Sequence, residues 1–245
     1  MTTHRLRRAA HAFVLVPAAL WALGACAVTQ ELLVRADRSG ETAIAIDLAP
    51  DVVDRMKEMA ALTGRELPED GLVDLEKLHK TLSTLRGVTV TQLEAPEDHR
   101  LEIAFAFEDA PAMFPSPSLV WEAGIVTFEE VEEGTRLRLY LDLDSYKQIK
   151  AVFPEVLDDD VIRAMGPEEN TEITAEDYLT MMGFVLGPSG PDAISESVIT
   201  IRLNVASELV SQRGGRIEDG VAIFELNLLD LLLLHEPVDL EVVFR

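Results

Sequence analysis

The chain has 245 residues, of which 48% are hydrophobic and only 6% aromatic, and its formal net charge is −23 at pH 7 with histidine neutral. This length allows one large domain or two small ones, each with a hydrophobic core that needs no disulfide. The negative charge repels phosphate backbones, whose binding requires clustered lysine and arginine, so the sequence argues against nucleic acid as a partner.

The first residues have the pattern of a secretory signal. Three arginines within residues 5–8 precede an apolar segment, residues 12–23, that is too short to cross a bilayer as a stable helix. The run Leu23-Gly24-Ala25-Cys26 then places small residues directly before the only cysteine of the chain. This spacing matches the lipobox of bacterial lipoproteins, in which Cys26 receives a diacylglyceryl group and residues 1–25 are removed. The alternatives are an ordinary secretory cleavage site that contains a cysteine and a membrane-anchoring helix.

Lipidation of Cys26 would determine the location of the protein. The partner of its N-terminal acyl chains would be a membrane, since several chains attach a protein lastingly whereas one chain alone binds weakly. We expect a membrane-anchored protein of the bacterial cell envelope that faces the periplasm or the cell exterior, in either membrane. A lipidated Cys26 also leaves no thiol for a disulfide or for catalysis.

The body of the chain, residues 26–245, begins with a predicted β-hairpin over residues 31–47, in which two strands flank a polar turn that ends at Gly40. Two amphipathic helices are predicted next, over residues 50–64 and 72–85. A second hairpin over residues 88–107 alternates strictly between apolar and polar positions, which predicts one buried face.

A proline-rich loop then marks a candidate subdivision of the body near residues 110–120. The clearest hairpin pattern follows over residues 125–143. Helical segments are predicted from Ser145, as the N-terminal cap, to residue 165 with an interruption at Pro154. A further helix over residues 174–187 begins with the hydroxyl and acid of a capping motif.

The C-terminal part is strand-like. The predicted strands cover residues 198–205, 208–212, 221–226 and 238–244. Because hairpins alternate with inserted amphipathic helices and no regular βαβ repeat is present, the predicted fold class is α+β with antiparallel hairpins.

A turn-rich segment lies between the last strands. Gly214 and Gly215, with the pair Asp219-Gly220, predict a hairpin or bulge that uses positive φ angles. In so acidic a chain, Arg213 and Arg216 could instead contact an anion or a lipid head group.

Residues 228–234 are almost entirely leucine. They form a short helix or a buried strand, and they are far too few to cross a bilayer. One interpretation is hydrophobic core, and the other is the wall of an apolar pocket that binds a lipid or a partner. The leucines concerned are Leu228, Leu229, Leu231, Leu232, Leu233 and Leu234.

The sequence offers no catalytic residues, no metal ligands and no cofactor site that we can name. Motifs of serine hydrolases, metalloproteases and nucleotide-binding proteins are absent, and His79, His99 and His235 lie in unrelated contexts. The acidic runs at residues 142–144 and 158–160 lack the pattern of a calcium loop, and we interpret them as solvated surface rather than as cation sites.

A family resemblance rests on the lipobox, the β-rich body and the C-terminal pattern in which Gln212, Gly214-Gly215 and Asp219-Gly220 lie between strands. These features resemble LppM-type bacterial lipoproteins, mainly over about the last fifty residues, and the leucine-rich ending resembles uncharacterised spirochaetal lipoproteins. The resemblance implies an envelope domain of α+β or β-barrel-like fold that accommodates a lipid. This chain departs from the LppM type because no transmembrane helix follows Leu234, so we expect Cys26 to be its only anchor.

The sequence is compatible with three functions. The leading hypothesis is an acyl-anchored, non-enzymatic binding or interaction module whose partner is a lipid or another envelope protein. The alternatives are a carrier that encloses a lipid or amphiphile in an apolar cavity, and an envelope hydrolase whose residues assemble from distant segments.

Overall fold

A computed structural model of the protein describes residues 25–63, 68, 73–110, 124–152 and 160–245. It contains two β-sheets with helices packed beside them, and most neighbouring strands are antiparallel. The predicted α+β class is confirmed. Most of the candidate subdivision near residues 110–120 lies outside the described residues.

The larger sheet, sheet A, has seven strands in the spatial order β3-β4-β2-β1-β7-β10-β9. Its strands are β1 (Ala25–Val34), β2 (Gly40–Leu48), β3 (Val88–Glu97), β4 (Arg100–Phe107), β7 (Val198–Val205), β9 (Arg216–Glu218) and β10 (Val221–Asn227). The hairpins predicted at residues 31–47 and 88–107 form β1–β2 and β3–β4. In the second hairpin the turn contains only Asp98 and His99.

The strand β1 lies in the middle of sheet A. It is antiparallel to β2 and parallel to β7, with aligned pairs from Ala27–Val198 to Val34–Val205. A parallel pair needs a long crossover connection, and here almost the whole chain between β1 and β7 provides it. The N-terminal strand is therefore joined to the C-terminal part of the fold.

Seven helices are found in the described part of the chain. They are α1 (Pro50–Thr63), α2 (Leu75–Ser83), α3 (Leu143–Val152), α4 (Asp160–Met165), α5 (Ala175–Leu186), α6 (Gly190–Ser195) and α7 (Leu228–Leu233). The ambiguous leucine segment is thus a short helix, and α6 lies between the helix predicted over residues 174–187 and the strand predicted from residue 198, where no element was predicted. Thr174 caps α5 by accepting a hydrogen bond from the Asp177 backbone N–H, as its sequence predicts.

The cap of α3 differs from the prediction. Ser145 lies inside the first turn, and its backbone N–H donates a hydrogen bond to the Asp142 carboxylate at 2.8 Å. Asp142 is therefore the N-terminal cap. The Ser145 hydroxyl in turn accepts one from the Asp142 N–H at 2.7 Å, which completes a reciprocal capping box. The prediction chose the wrong member of the pair because both residue types are good caps.

The smaller sheet, sheet B, has the order β5-β6-β11-β8. Its strands are β5 (Val126–Val131), β6 (Gly134–Leu141), β8 (Leu209–Arg213) and β11 (Val238–Phe244). Leu240, Val242 and Phe244 of β11 pack against Leu203 and Phe224 of sheet A in a shared apolar cluster. The two sheets are therefore joined by core contacts.

The turn-rich segment links β8 in sheet B to β9 in sheet A. Gly214 has φ +87°, which confirms its predicted left-handed conformation, and the turn before β10 uses Asp219 at φ +52° and Gly220 at φ +80°. The prediction of a positive φ at Gly215 is wrong, because its φ is not in the positive range. It is needed for space instead, since a Cβ there would lie 2.2 Å from the Ile223 carbonyl oxygen. The Gln212 side chain holds this backbone by accepting from the Gly215 N–H at 2.9 Å.

Sheet A has one covered face and one open face. Along β2 the buried residues alternate with accessible ones, and β4 repeats the alternation in register with it. The buried face packs against the helices in the main apolar cluster, to which Ile44, Ile103 and Phe105 contribute. The accessible face bears the side chains discussed next.

Candidate functional site

A shallow groove of about 290 Å³ lies on the open face of sheet A. The register pairs Glu41 with Ala106 and Ala43 with Ala104 across β2 and β4, which places these four side chains side by side. On the other side of β2, Glu31 of β1 lies opposite Ala43. The groove is lined by Glu31, Leu32, Leu33, Glu41, Thr42, Ala43, Thr91, Ala104, Phe105, Ala106 and Asn204.

The hollow arises from residue size. Methyl side chains at Ala43, Ala104 and Ala106 form a low floor, whereas longer side chains stand around it. At one edge, β3 has a β-bulge between Val90 and Gln92, which adds Thr91 to the rim. Bulges redirect side chains and interrupt edge pairing. A flat sheet thereby acquires a concave surface with a polar border.

The carboxylates at the groove are paired with arginines. Glu31 lies 3.1 Å from the Arg202 guanidinium and Glu41 lies 2.6 Å from that of Arg35. Such accessible pairs contribute only about 0.2–1 kcal/mol each to stability. Their effect is to make the groove border nearly neutral in a strongly acidic protein. The groove can therefore hold a ligand by contact with the alanine floor and by hydrogen bonds from Thr91 and Asn204.

Arg213 and Arg216 belong to different sheets and do not form one site. Arg213 lies 3.1 Å from carboxylate oxygens of both Asp239 and Glu241. Arg216 lies 2.7 Å from Glu218 and 2.8 Å from Glu225. Hydrogen bonds to Glu225 and Glu218 raise the pKa of Arg216 above its ordinary value. A lipid head group would have to replace these carboxylates, and the head-group contact stays a prediction.

The leucine segment lies in the core. Leu228, Leu231, Leu232, Leu233 and Leu234 expose between 1 and 6% of their surface, and Leu229 is half-buried. Four of the buried leucines belong to the main apolar cluster, with Leu229 packed against it. Asn227 caps the helix by accepting from the Leu229 N–H at 2.8 Å. The groove is lined by none of these residues.

The structure describes two of the four residues of the predicted lipobox. Leu23 and Gly24 lie outside the described residues, while Ala25 and Cys26 form the first two positions of β1. The pair Ala25–Leu48 aligns the end of β2 with this start. A modified Cys26 would therefore be separated from the folded sheet by no linker.

The other polar candidates are scattered. His79 and His235 are exposed on α2 and beyond α7, and His99 lies 3.2 Å from Glu97 in the β3–β4 turn. Asp142 caps α3, and its pKa is lowered mainly by the hydrogen bond from the Ser145 backbone. Asp158 and Asp159 lie outside the described residues. Within the described ranges, no group of three or more His, Cys, Asp and Glu side chains is arranged to hold a metal ion.

Sequence reasoning missed the groove. The signal available was the placement of Ala43, Ala45, Ala104 and Ala106 at the outward positions of two predicted strands, where exposed strands usually carry larger polar side chains.

No helix in the described part of the chain is both long enough and apolar enough to span a membrane.

Comparison with known proteins finds a similar solved structure. No protein-family model and no curated protein matches the chain. The NMR structure of the folded domain of the LppM protein from Mycobacterium tuberculosis is similar to this chain at 11% sequence identity and a TM-score of 0.41. The alignment covers 89% of this chain and 88% of that domain.

Proposed function

We propose that this chain is an acyl-anchored lipoprotein of the bacterial envelope whose α+β body acts as a non-enzymatic binding module. The observation that carries the proposal is the direct continuation of the lipobox into β1. The last residue of this motif, Cys26, is the second residue of β1, and β1 lies in the middle of sheet A. Acyl chains on Cys26 would hold the body at the membrane surface, because no flexible segment separates them.

The open face of sheet A is the proposed binding surface. Its groove combines an apolar alanine floor with a polar border, which is the composition of many sites for small ligands. A carrier with a leucine-lined cavity has less support, since four of these leucines, Leu228 and residues 231–233, belong to the main core. A hydrolase has less support as well, because His79, His99 and His235 lie on three separate elements.

Anchoring is tested by Cys26→Ala in the full chain. We expect the parent in the membrane fraction with the mass of a triacylated or diacylated Cys26, and we expect the variant to lack this mass and to be released or mislocalised. Intact-mass analysis of both fractions provides the measurement. Membrane-bound parent protein with an unmodified Cys26 thiol would contradict the proposal.

Binding is tested by filling the groove. Ala43→Phe places a ring on its floor, and Ala45→Phe is the matched control because it lies on the same face of β2 outside the lining. Native mass spectrometry after gentle extraction should show a co-purifying ligand on the parent and on the control, and loss of that ligand from Ala43→Phe. Equal ligand occupancy in all three proteins would exclude the groove as the site.

A further inference from the structure

The start of β1 defines one end of the molecule, which we call the Cys26 end. Three strand termini meet there, since Ala25 aligns with Leu48 of β2 and Ala27 with Val198 of β7. If Cys26 is acylated, its acyl chains would enter the bilayer from this point. Whatever lies at the Cys26 end would then lie next to the membrane.

The last turn of α5 belongs to the Cys26 end. The helix α6 packs beside β1, and Gly190 at its start is in contact with Leu186 of α5. From the other side, the Asp51 carboxylate at the start of α1 lies beside the Ser189 side chain, and this interaction lowers the pKa of Asp51 below its ordinary value. Because α1 follows Leu48 directly, these contacts hold the α5–α6 connection beside the first residues of β1.

Large apolar side chains are exposed at this end. Phe184 in the last turns of α5 exposes 81% of its surface, and Val198 beside Ala27 exposes 37%. Pro188, one turn after Phe184, is also exposed. An exposed phenylalanine is costly in water but favourable at the boundary between head groups and acyl chains.

The charges at the Cys26 end indicate what kind of surface it meets. Asp47, Asp51, Asp192 and Glu196 lie on the elements that form it, and Arg100, opposite Asp47 on β4, is paired with Glu102 at 2.7 Å. Such acidic groups repel anionic lipids and offer nothing to a polybasic mode of membrane binding. The contact must therefore depend on apolar side chains and on the acyl chains of the anchor.

We infer that the Cys26 end rests on the bilayer, with Phe184 inserted into the interfacial region as a second contact beside the acylated cysteine. The inference rests on the proposed lipidation of Cys26. It adds an orientation, because two contacts fix the tilt of the body where one would not. The groove between β1, β2 and β4 then lies on the side of the sheet, accessible from the envelope space.

The test places a fluorescent reporter at the proposed contact in the full chain. Phe184→Trp is compared with Leu62→Trp, a matched control because Leu62 is 82% exposed near the far end of α1. The proteins are extracted from host membranes and reconstituted into phosphatidylcholine vesicles with brominated or unbrominated acyl chains. The unsubstituted chain gives the signal of its own tryptophans, Trp21 and Trp121, for subtraction.

We expect bromine to reduce the fluorescence of tryptophan at position 184 and to leave tryptophan at position 62 unchanged. Equal quenching at both positions, or none at position 184, would overturn the inference. Fluorescence from tryptophan at position 184 that is blue-shifted but not quenched by bromine would also overturn the inference, and it would indicate a protein partner instead. Intact mass separates the two proposals: an acylated, unquenched protein contradicts the bilayer contact alone, whereas an unmodified Cys26 contradicts the proposed function.

Discussion

Glycines in this chain are required for two separable reasons. At Gly220, φ is +80° and a Cβ would meet nothing within 4 Å. At Gly215 the φ is ordinary but the space is filled by Ile223 and Phe224. Gly214 combines both conditions, since φ is +87° and a Cβ would lie 2.6 Å from the Asp239 carbonyl oxygen.

Alanine substitutions at these three glycines should therefore lower the free energy of unfolding by different amounts. Gly220→Ala should cost about 1 kcal/mol through backbone strain alone. Gly215→Ala should cost about 1–3 kcal/mol through overpacking, and Gly214→Ala should cost the most because both effects act. Chemical denaturation of the three variants and the parent measures the order. If Gly220→Ala were the most destabilised, steric contact would not be what fixes the β8–β9 connection.

At the scale of elements, the helix α7 distinguishes core from pocket wall. Leu228 is 1% exposed and Leu229 is half-buried one residue later. If the segment is core, Leu228→Ala should lower the free energy of unfolding by about 2–5 kcal/mol, and Leu229→Ala by clearly less. Melting curves and binding of a fluorescent lipid are measured together. Stable variants that lose lipid binding would instead support the carrier.

Sheet B is stabilised on its outer face by a network of charges. Arg138 donates to both carboxylate oxygens of Asp239, at 2.7 and 3.1 Å, and its guanidinium lies 4.8 Å from the Tyr140 ring centre. Arg213 contacts the same carboxylate. Hydrogen bonding from Arg138 lowers the pKa of Asp239 below its ordinary value of 3.8.

This network predicts a pH dependence. A carboxyl group whose pKa is lowered by folding contributes stability above its unfolded pKa, and the contribution is lost as pH falls through the folded pKa. Asp239→Asn should therefore be less stable than the parent at pH 7, by about 1 kcal/mol for partly exposed groups, and the difference should shrink below about pH 4. Asp144→Asn is the control, since Asp144 is 84% exposed in its pair with Lys147. A difference that persisted unchanged to pH 2 would exclude the ion pair as its cause.

Local patterns explain which elements were predictable from sequence. The β1–β2 hairpin and α5 have their turn and cap residues within a few positions of the strands or helix they delimit. The β1–β7 parallel pair joins residues about 170 positions apart, and nothing local specifies it. The groove depends on the register of β2 with β4, which sequence alternation permits but does not fix. The lipidation of Cys26 could be predicted from sequence because the pattern on which it rests is contiguous, and it stays a prediction.

At the scale of the whole molecule, the position of β1 would couple the proposed anchoring at Cys26 to folding. This strand pairs with β2 on one side and β7 on the other, and it contributes Val28 and Val34 to the two apolar clusters. A lipoprotein on a flexible tether releases a folded domain when the tether is cut. Here any cut more than a few residues after Cys26 removes part of the middle of sheet A.

Protease treatment of the membrane-bound protein should therefore release no folded fragment that begins within or after β1. The matched control carries a protease-sensitive glycine and serine linker between Cys26 and Ala27, and cleavage should release its body in folded form because β1 then stays with the sheet. The released material is examined by N-terminal sequencing and circular dichroism. A soluble, cooperatively melting fragment of the unmodified protein that starts after Val34 would contradict this account, since it would show that the fold forms without its central strand.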